Sequence, residues 1–207
     1  MSTRVIAIDG PAGSGKSTVA RRLAAVLGWS YLDTGAMYRA VTVRALDLGV
    51  RPDDADAIAR VAQHCVLAID DAVVIDGVDV TARLRDESTN VAVSVVAANP
   101  AVRAALVERQ RAFARHQPQG TVVEGRDTAT VVFPDAALKV YLTASADERA
   151  RRRGDEDPSS VARRDAADEG RAVSPLRRDD EARVIDTTRR SVEDVVEEIA
   201  AWAKTLN

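Results

Sequence analysis

The chain has 207 residues with 29 basic and 32 acidic side chains, a net charge of −3 and an isoelectric point near 5.5. That length suits one well-cored domain with room for a small inserted subdomain, and the acidic balance argues against a nucleic-acid-binding surface as its main purpose. No apolar stretch approaches membrane-spanning length, and a strand begins after four residues, which leaves no room for a signal peptide; the expectation is a cytoplasmic protein with no membrane partner.

From the N-terminus, Val5-Ile6-Ala7-Ile8 predicts a buried strand near 4–9, and Leu23, Val26 and Leu27 lie on one side of a helix predicted over 16–27. Between them, Gly10-Pro11-Ala12-Gly13-Ser14-Gly15-Lys16-Ser17, followed by Thr18, satisfies G-x-x-x-x-G-K-[ST] at every fixed position. Glycines let successive backbone N–H groups converge on phosphate oxygens, and the helix N-terminus adds its positive dipole end. Lys16 supplies a mobile point charge for β and γ phosphates, and Ser17 a hydroxyl for Mg²⁺. Only three lysines, Lys16, Lys139 and Lys204, stand among the 29 basic residues, so a lysine at this position runs against a strong preference for arginine. The strand-loop-helix context points to a nucleoside triphosphate as ligand.

Further strands are predicted near 29–32, 120–124, 138–142 and 183–186, and helices near 35–48, 54–63, 87–97, 100–115, 145–153 and 191–205. In the last helix Ser191 and Asp194 have capping-box spacing, and Val192, Val195, Val196 and Ile199 form a stripe. This alternation predicts an α/β chain: a P-loop NTPase fold with a five-stranded, mostly parallel sheet and helices on both faces. Residues 65–81 break the pattern with three short apolar runs separated by Asp70-Asp71 and Asp76-Gly77, a small antiparallel meander. Residues 62–85 are therefore expected to form an insert over the mouth of the site within a single P-loop domain spanning 1–207. The lone Cys65 excludes an intrachain disulfide or a cysteine metal cluster and reads as a buried small hydrophobe, whereas His64 and His116 read as surface residues. The densely charged stretch 151–171 reads as a short lid, because arginines on a mobile segment can neutralise charge in phosphoryl transfer.

Two more segments bear on a second substrate. Asp33-Thr34-Gly35-Ala36-Met37-Tyr38-Arg39 follows the second strand and opens a helix, so Thr34 can cap that helix while Arg39 points back toward the site. Glu124-Gly125-Arg126-Asp127 follows the third core strand, and Glu124 is the candidate carboxylate for Mg²⁺ and its waters. Ligands of open α/β sheets bind beyond the carboxyl ends of strands, so these segments should converge with the P-loop.

With IDGPAGSGKST at 8–18, LDTGAMYR at 32–39, NPAVRAALVERQRAF at 99–113, VEGRDTATVVFPDA at 123–136 and RAVSPL at 171–176, the chain resembles the bacterial cytidylate kinases, within the nucleoside monophosphate kinase family, over nearly its full length. The resemblance implies phosphoryl transfer from ATP, with Mg²⁺, to CMP or dCMP by a monomeric enzyme of pyrimidine nucleotide metabolism. It implies that Lys16, Arg39, Arg126 and Asp127 serve catalysis, that Arg39 and Arg126 grip the acceptor phosphate near Thr34, and that Ser94, Arg103 and Asp127 read cytosine. Asp168 would hold the sugar hydroxyls, Arg164 and Arg171 would contact nucleotide, and Arg152 and Arg153 would join the P-loop in binding ATP. Base chemistry agrees: a carboxylate can accept from the cytosine 4-amino group while an arginine donates to a ring acceptor, and uracil reverses both groups.

Three departures from the family pattern stand out. Ala129 occupies a position where glycine is usual, Glu124 replaces an aspartate found in some members, and only nine residues separate Arg153 from Arg163, a short lid. That length leaves open which of Arg149, Arg152, Arg153 and Arg163 meets the ATP phosphates. A kinase for UMP, AMP or shikimate is the nearest alternative, against which Asp127, Arg103 and Ser94 argue. A nucleotide switch has no second anion for Arg39 and Arg126 to hold, and an RNA-binding module would need exposed aromatics where the chain has two Trp, three Tyr and two Phe in all.

Overall fold

The computed structural model describes residues 4–70, 72–154, 170 and 176–205. In chain order the elements are β1 (Val5–Asp9), α1 (Lys16–Leu27), β2 (Ser30–Asp33), α2 (Thr34–Asp47), α3 (Ala55–His64), β3 (Leu67–Ile69), β4 (Val73–Ile75) and β5 (Val78–Asp79). A 3₁₀ turn (Thr81–Arg85) leads to α4 (Glu87–Ala98) and α5 (Pro100–Arg115); then come β6 (Thr121–Gly125), a π-helical turn (Thr128–Val132), β7 (Leu138–Thr143), α6 (Ala146–Arg152), β8 (Arg183–Asp186) and α7 (Val192–Ala203). The chain divides into two compact units, one of residues 1–33 with 111–207 and one of residues 34–110.

The first unit contains the five-stranded sheet, in the order β2-β6-β1-β7-β8 with every pairing parallel. β1 and β6 are buried at all five positions, which is why Val5-Ile6-Ala7-Ile8 reads as a continuous apolar run and Val122 and Val123 stand side by side rather than alternating with polar residues. The core brings Ile6, Ile8, Val122, Leu138, Val140 and Leu142 of the sheet against Val19, Ala20 and Leu23 of α1 and Val195, Val196 and Ile199 of α7. Helix ends follow their local chemistry. Gly28, with φ +66°, ends α1 in the left-handed conformation and returns its N–H to Ala24 and Ala25 carbonyls; at the start of α7 the Asp194 N–H donates to Ser191 Oγ at 3.1 Å.

The second unit holds the antiparallel sheet β3-β4-β5. Asp76 (φ +49°) and Gly77 (φ +80°) make the β4–β5 turn, the pair of positive φ values that a two-residue hairpin needs. Asp76 also accepts from Val66 N–H at 2.8 Å and pairs with Arg44 of α2 at 2.7 Å, while Arg83 grips Asp47 through two hydrogen bonds of 2.9 and 2.7 Å. Between α4 and α5 the chain bends by 92°, and Asn99 Oδ1 caps α5 by accepting from Ala101 and Val102 N–H groups. Among the described residues no single helix is long and apolar enough to cross a membrane.

The predicted core strands and helices all form within a residue or two of their expected ends. The π-helical turn was not foreseen. Cys65 is buried, and His64 and His116 are exposed, as read from the sequence. Leu23→Ala, which empties a fully buried position in the core of the first unit, should lower unfolding stability by about 2–5 kcal/mol in urea titrations followed by circular dichroism.

Candidate active site

The P-loop leaves β1 through backbone that only glycine can supply. At Gly10, φ is +151°, and a Cβ would lie 2.0 Å from the Leu142 carbonyl oxygen; at Gly13, φ is +78° and a Cβ would lie 2.7 Å from the Arg149 carbonyl oxygen. Gly15 then caps α1, placing Lys16 and Ser17 in its first turn. Lys16 is 8% exposed, and its Nζ donates to Pro11 O at 2.9 Å. Burial, reinforced by Arg126, lowers the Lys16 pKa to about 8. Ser14 Oγ is buried with no hydrogen-bond partner among the described residues, a donor that the loop itself leaves unused. Thr18 is exposed.

Two arginines of α6 brace the loop. Arg149 donates to Ala12 O at 3.3 Å and to Ala144 O at 3.2 Å. Arg152 donates to Thr187 through Nη1 (2.9 Å, to Oγ1) and Nη2 (2.7 Å, to the carbonyl), and Thr187 Oγ1 donates to Ser14 O at 3.1 Å. Glu148 holds Arg152 by its Nε at 2.7 Å. Arg153 is the residue that closes α6.

At the end of β6, Glu124 is 4% exposed and stands opposite Asp33 of β2. Ser17 Oγ donates to Glu124 Oε1 at 2.6 Å, and Tyr31 Oη donates to the same oxygen at 3.4 Å. Burial first, and the Asp33 carboxylate second, push the Glu124 pKa up to about 7. Burial beside Glu124 and Asp33 also raises the Tyr31 phenol. A hydroxyl and a buried, charge-poor carboxylate in contact at a helix N-terminus form an oxygen donor set that a hard divalent cation would relieve. Among the described residues no cluster of three or more His, Cys, Asp or Glu side chains offers a self-sufficient metal cage, so phosphate oxygens or water would complete the coordination.

One residue beyond β6, Arg126 Nη1 donates to Gly10 O at 2.6 Å, which sets this guanidinium against the first residue of the P-loop. Asp127 is buried at the start of the π-helical turn. Ala129 lies inside that turn with its N–H donating to Asp9 Oδ2 at 2.7 Å, and its φ is not positive, so glycine is not required there.

In the second unit, Thr34 is buried as the first residue of α2. Arg39 donates through Nη1 to Asn90 Oδ1 at 2.6 Å and to Leu84 O at 3.0 Å. Arg103 is buried, donating to Ala97 O at 3.4 Å, with its guanidinium 5.6 Å from the Tyr38 ring centroid. Ser94 is half-buried on α4. Arg163, Arg164, Asp168 and Arg171 lie outside the described residues. The structure thus gathers Lys16, Ser17, Glu124 and Arg126, with Arg149 and Arg152, around the P-loop in the first unit, and it sets Arg39 on Asn90 and Arg103 beside Tyr38 in the second. Asp9, Asp33, Thr187 and Asn90 are contributors that sequence reading missed. Asp33 was legible in principle as an acidic strand end two residues before the P-loop's neighbour segment Gly35–Arg39, whereas Thr187 and Asn90 depend on distant contacts.

The family model described as cytidylate kinase matches residues 6–205. A cytidylate kinase of Mycobacterium avium is 45% identical over 212 aligned positions, covering 94% of this chain and 92% of that one. A cytidylate kinase of Pseudomonas paraeruginosa is 46% identical, covering 94% and 93% respectively. Among solved structures, a gluconokinase from Sinorhizobium meliloti superposes with a TM-score of 0.54 at 15% identity, covering 99% of this chain and 93% of that one, a likeness of fold.

The buried Glu124 carboxyl predicts a pH signature. Its pKa in the folded protein is about 7 against an ordinary 4.5, so between those values the folded state holds a proton that the unfolded state has lost. Raising the pH through that window therefore withdraws stability. In ligand-free protein the thermal midpoint should decline from pH 5 to 8, and Glu124→Gln should flatten this part of the profile; an equally steep decline in the variant would place its source elsewhere.

Proposed function

The chain belongs to the cytidylate kinase family, and from that premise we propose that it transfers the γ-phosphoryl group of ATP to CMP or dCMP, giving ADP with CDP or dCDP. The observation that supports this reading most is the hydrogen bond from Arg126 to Gly10 O, which sets a further cationic side chain against the start of the P-loop.

ATP is held by the backbone of Gly10 to Thr18 and by Lys16, whose ammonium exchanges the Pro11 carbonyl for phosphate oxygens. Arg149 and Arg152, fixed on the P-loop side of α6, add positive charge, and Arg153 follows directly. Mg²⁺, held through Ser17 with Glu124 and its waters, would neutralise charge on the triphosphate. A 5′-phosphate oxygen of the acceptor attacks the γ phosphorus in line; the bond from that phosphorus to the β-bridging oxygen breaks, and ADP leaves with the electron pair. No protein nucleophile is needed. Both substrates are anions, so positioning and charge neutralisation by Lys16, Arg39 and Arg126 supply the catalysis.

Acceptor recognition falls to Thr34, Arg39, Ser94, Arg103, Arg126 and Asp127, joined by Arg164, Asp168 and Arg171. Asp127 accepts from the cytosine 4-amino group, and Arg103 donates to the ring; uracil would leave both without a match. The same reading makes the protein a cytoplasmic, monomeric enzyme of pyrimidine nucleotide metabolism, with small nucleotides rather than nucleic acid or membrane as partners. Its acidic net charge supports that choice.

Lys16→Ala should lower kcat by roughly 10²–10³-fold, the cost of losing one preorganised charge contact in the transition state, in a coupled ADP-release assay. Asp127→Ala should reduce the CMP-over-UMP preference in kcat/KM by about tenfold or more, as expected for one charge-assisted hydrogen bond. An unchanged preference would remove Asp127 from base recognition.

A further inference from the structure

Asp9, the last residue of β1, belongs to no ligand-binding role assigned above, yet at 2% exposed it is one of the most enclosed charges among the described residues. Its carboxylate is fully engaged with the segment that follows Arg126 and Asp127. Oδ1 accepts from Thr128 N–H at 2.9 Å and from Thr128 Oγ1 at 2.7 Å, and Oδ2 accepts from Ala129 N–H at 2.7 Å. These are the first N–H groups of the π-helical turn, the donors that a capping side chain ordinarily takes.

Asp127 occupies the capping position of that turn, and an aspartate there would ordinarily fold back onto its own N–H groups. It does not: the Asp127 side chain makes no capping hydrogen bond. Asp9 supplies the cap from a neighbouring strand instead. The adjacent residue holds the other flank, since Gly10 O receives Arg126 Nη1 at 2.6 Å. Residues 9 and 10 therefore grip the chain on both sides of Asp127, at the point where β1 becomes the P-loop. Such a grip is costly to build, because burial and the nearby Asp127 carboxylate both push the Asp9 pKa up while the Ala129 and Thr128 hydrogen bonds pull it back. A π-helical turn needs such an anchor more than an α-helical one does. Its bonds run from Val132 N–H to Asp127 O at 3.2 Å and from Phe133 N–H to Thr128 O at 2.7 Å, a wide ring that is rarely stable by itself.

We propose that Asp9 is a positioning residue for acceptor recognition: by capping the Thr128–Val132 turn from β1, it relieves Asp127 of that task and orients Arg126 and Asp127 toward the nucleotide acceptor. The inference rests on the reading of Asp127 and Arg126 as acceptor-binding groups. Asp9 itself touches no substrate.

The test compares Asp9→Asn, Thr128→Val and Asp127→Ala with wild type by steady-state kinetics on CMP and UMP, alongside titration of MgATP without acceptor and thermal melting. Asp9→Asn keeps the shape of the side chain but turns an amide N–H₂ toward a donor, so KM for CMP should rise and the CMP-over-UMP preference fall by roughly tenfold, the worth of one charge-assisted hydrogen bond. MgATP affinity should stay unchanged, and Thr128→Val, which deletes one donor, should move KM and preference in the same direction by less. Thr128→Ser, which keeps the hydroxyl, should restore wild-type values.

If Asp127→Ala loses the preference while Asp9→Asn and Thr128→Val retain both preference and KM for CMP, the positioning role is overturned. If Asp127→Ala keeps the preference, the base-reading role of Asp127 fails on its own, and an unchanged KM for CMP in Asp9→Asn would then refute the positioning of Arg126 as well. An equal loss of MgATP and CMP binding in Asp9→Asn would make it a general structural residue and also overturn the proposal. Should Asp9→Asn fail to fold, Thr128→Val and Thr128→Ser decide the matter by the same two readouts.

Discussion

Three ionisable side chains are buried near one another, Asp9 and Glu124 at the carboxyl ends of β1 and β6 and Lys16 in the first turn of α1, and the arrangement around them answers the cost of that burial. Each is stabilised by the others or by what lies next to them. Glu124 receives the Ser17 hydroxyl, Asp9 receives three donors from the π-helical turn, and Lys16 rests on the Pro11 carbonyl with both carboxylates pulling its pKa back toward the ordinary range. A parallel sheet makes this possible, because β1 and β6 end at one edge and deliver the two carboxylates side by side, while the P-loop returns Lys16 to the same edge. The charges are not there for stability. Burial leaves the Glu124 carboxyl short of positive charge and Lys16 short of negative charge, a state that Mg²⁺ and phosphate would relieve.

The second unit applies the same logic with arginine. Arg39 is held by a carbonyl and by the Asn90 amide, and Arg103 by a carbonyl and an aromatic face. A guanidinium fixed in this way would lose little freedom on meeting an anion or a base, so the proposed roles of Arg39 and Arg103 would draw on preorganisation. In the β4–β5 hairpin, Asp76 serves at once as turn residue, acceptor for Val66 and partner of Arg44.

Much of this was legible in the sequence where local chemistry decides the structure. Val5 to Ile8 and Val122-Val123 are apolar because both faces of their strands are covered, Gly10 and Gly13 stand where a Cβ would collide with backbone, and Asp76-Gly77 announces a hairpin turn. Glu124 stood out in the sequence as an acidic residue at a strand end beside a P-loop, but its burial did not. What escaped depends on contacts that no sequence period encodes. Thr128-Ala129-Thr130-Val131-Val132 is rich in β-branched residues and gives no helical signal, yet it forms a π-helical turn because Asp9, more than a hundred positions earlier, caps it. Thr187 reaches Ser14 across an even longer separation, and Asn90 meets Arg39 only once α2 and α4 have packed. Ala129, where glycine is usual in the family, donates its N–H to Asp9 and does not have a positive φ.

Phosphoryl transfer to a cytosine nucleotide is tested most directly by initial rates of ADP release from MgATP, with CMP, dCMP, UMP, AMP and shikimate each supplied separately to the wild-type protein. CMP and dCMP should support rapid turnover and the others little. Equal rates with UMP, or ATP binding without turnover on any acceptor, would contradict the assignment.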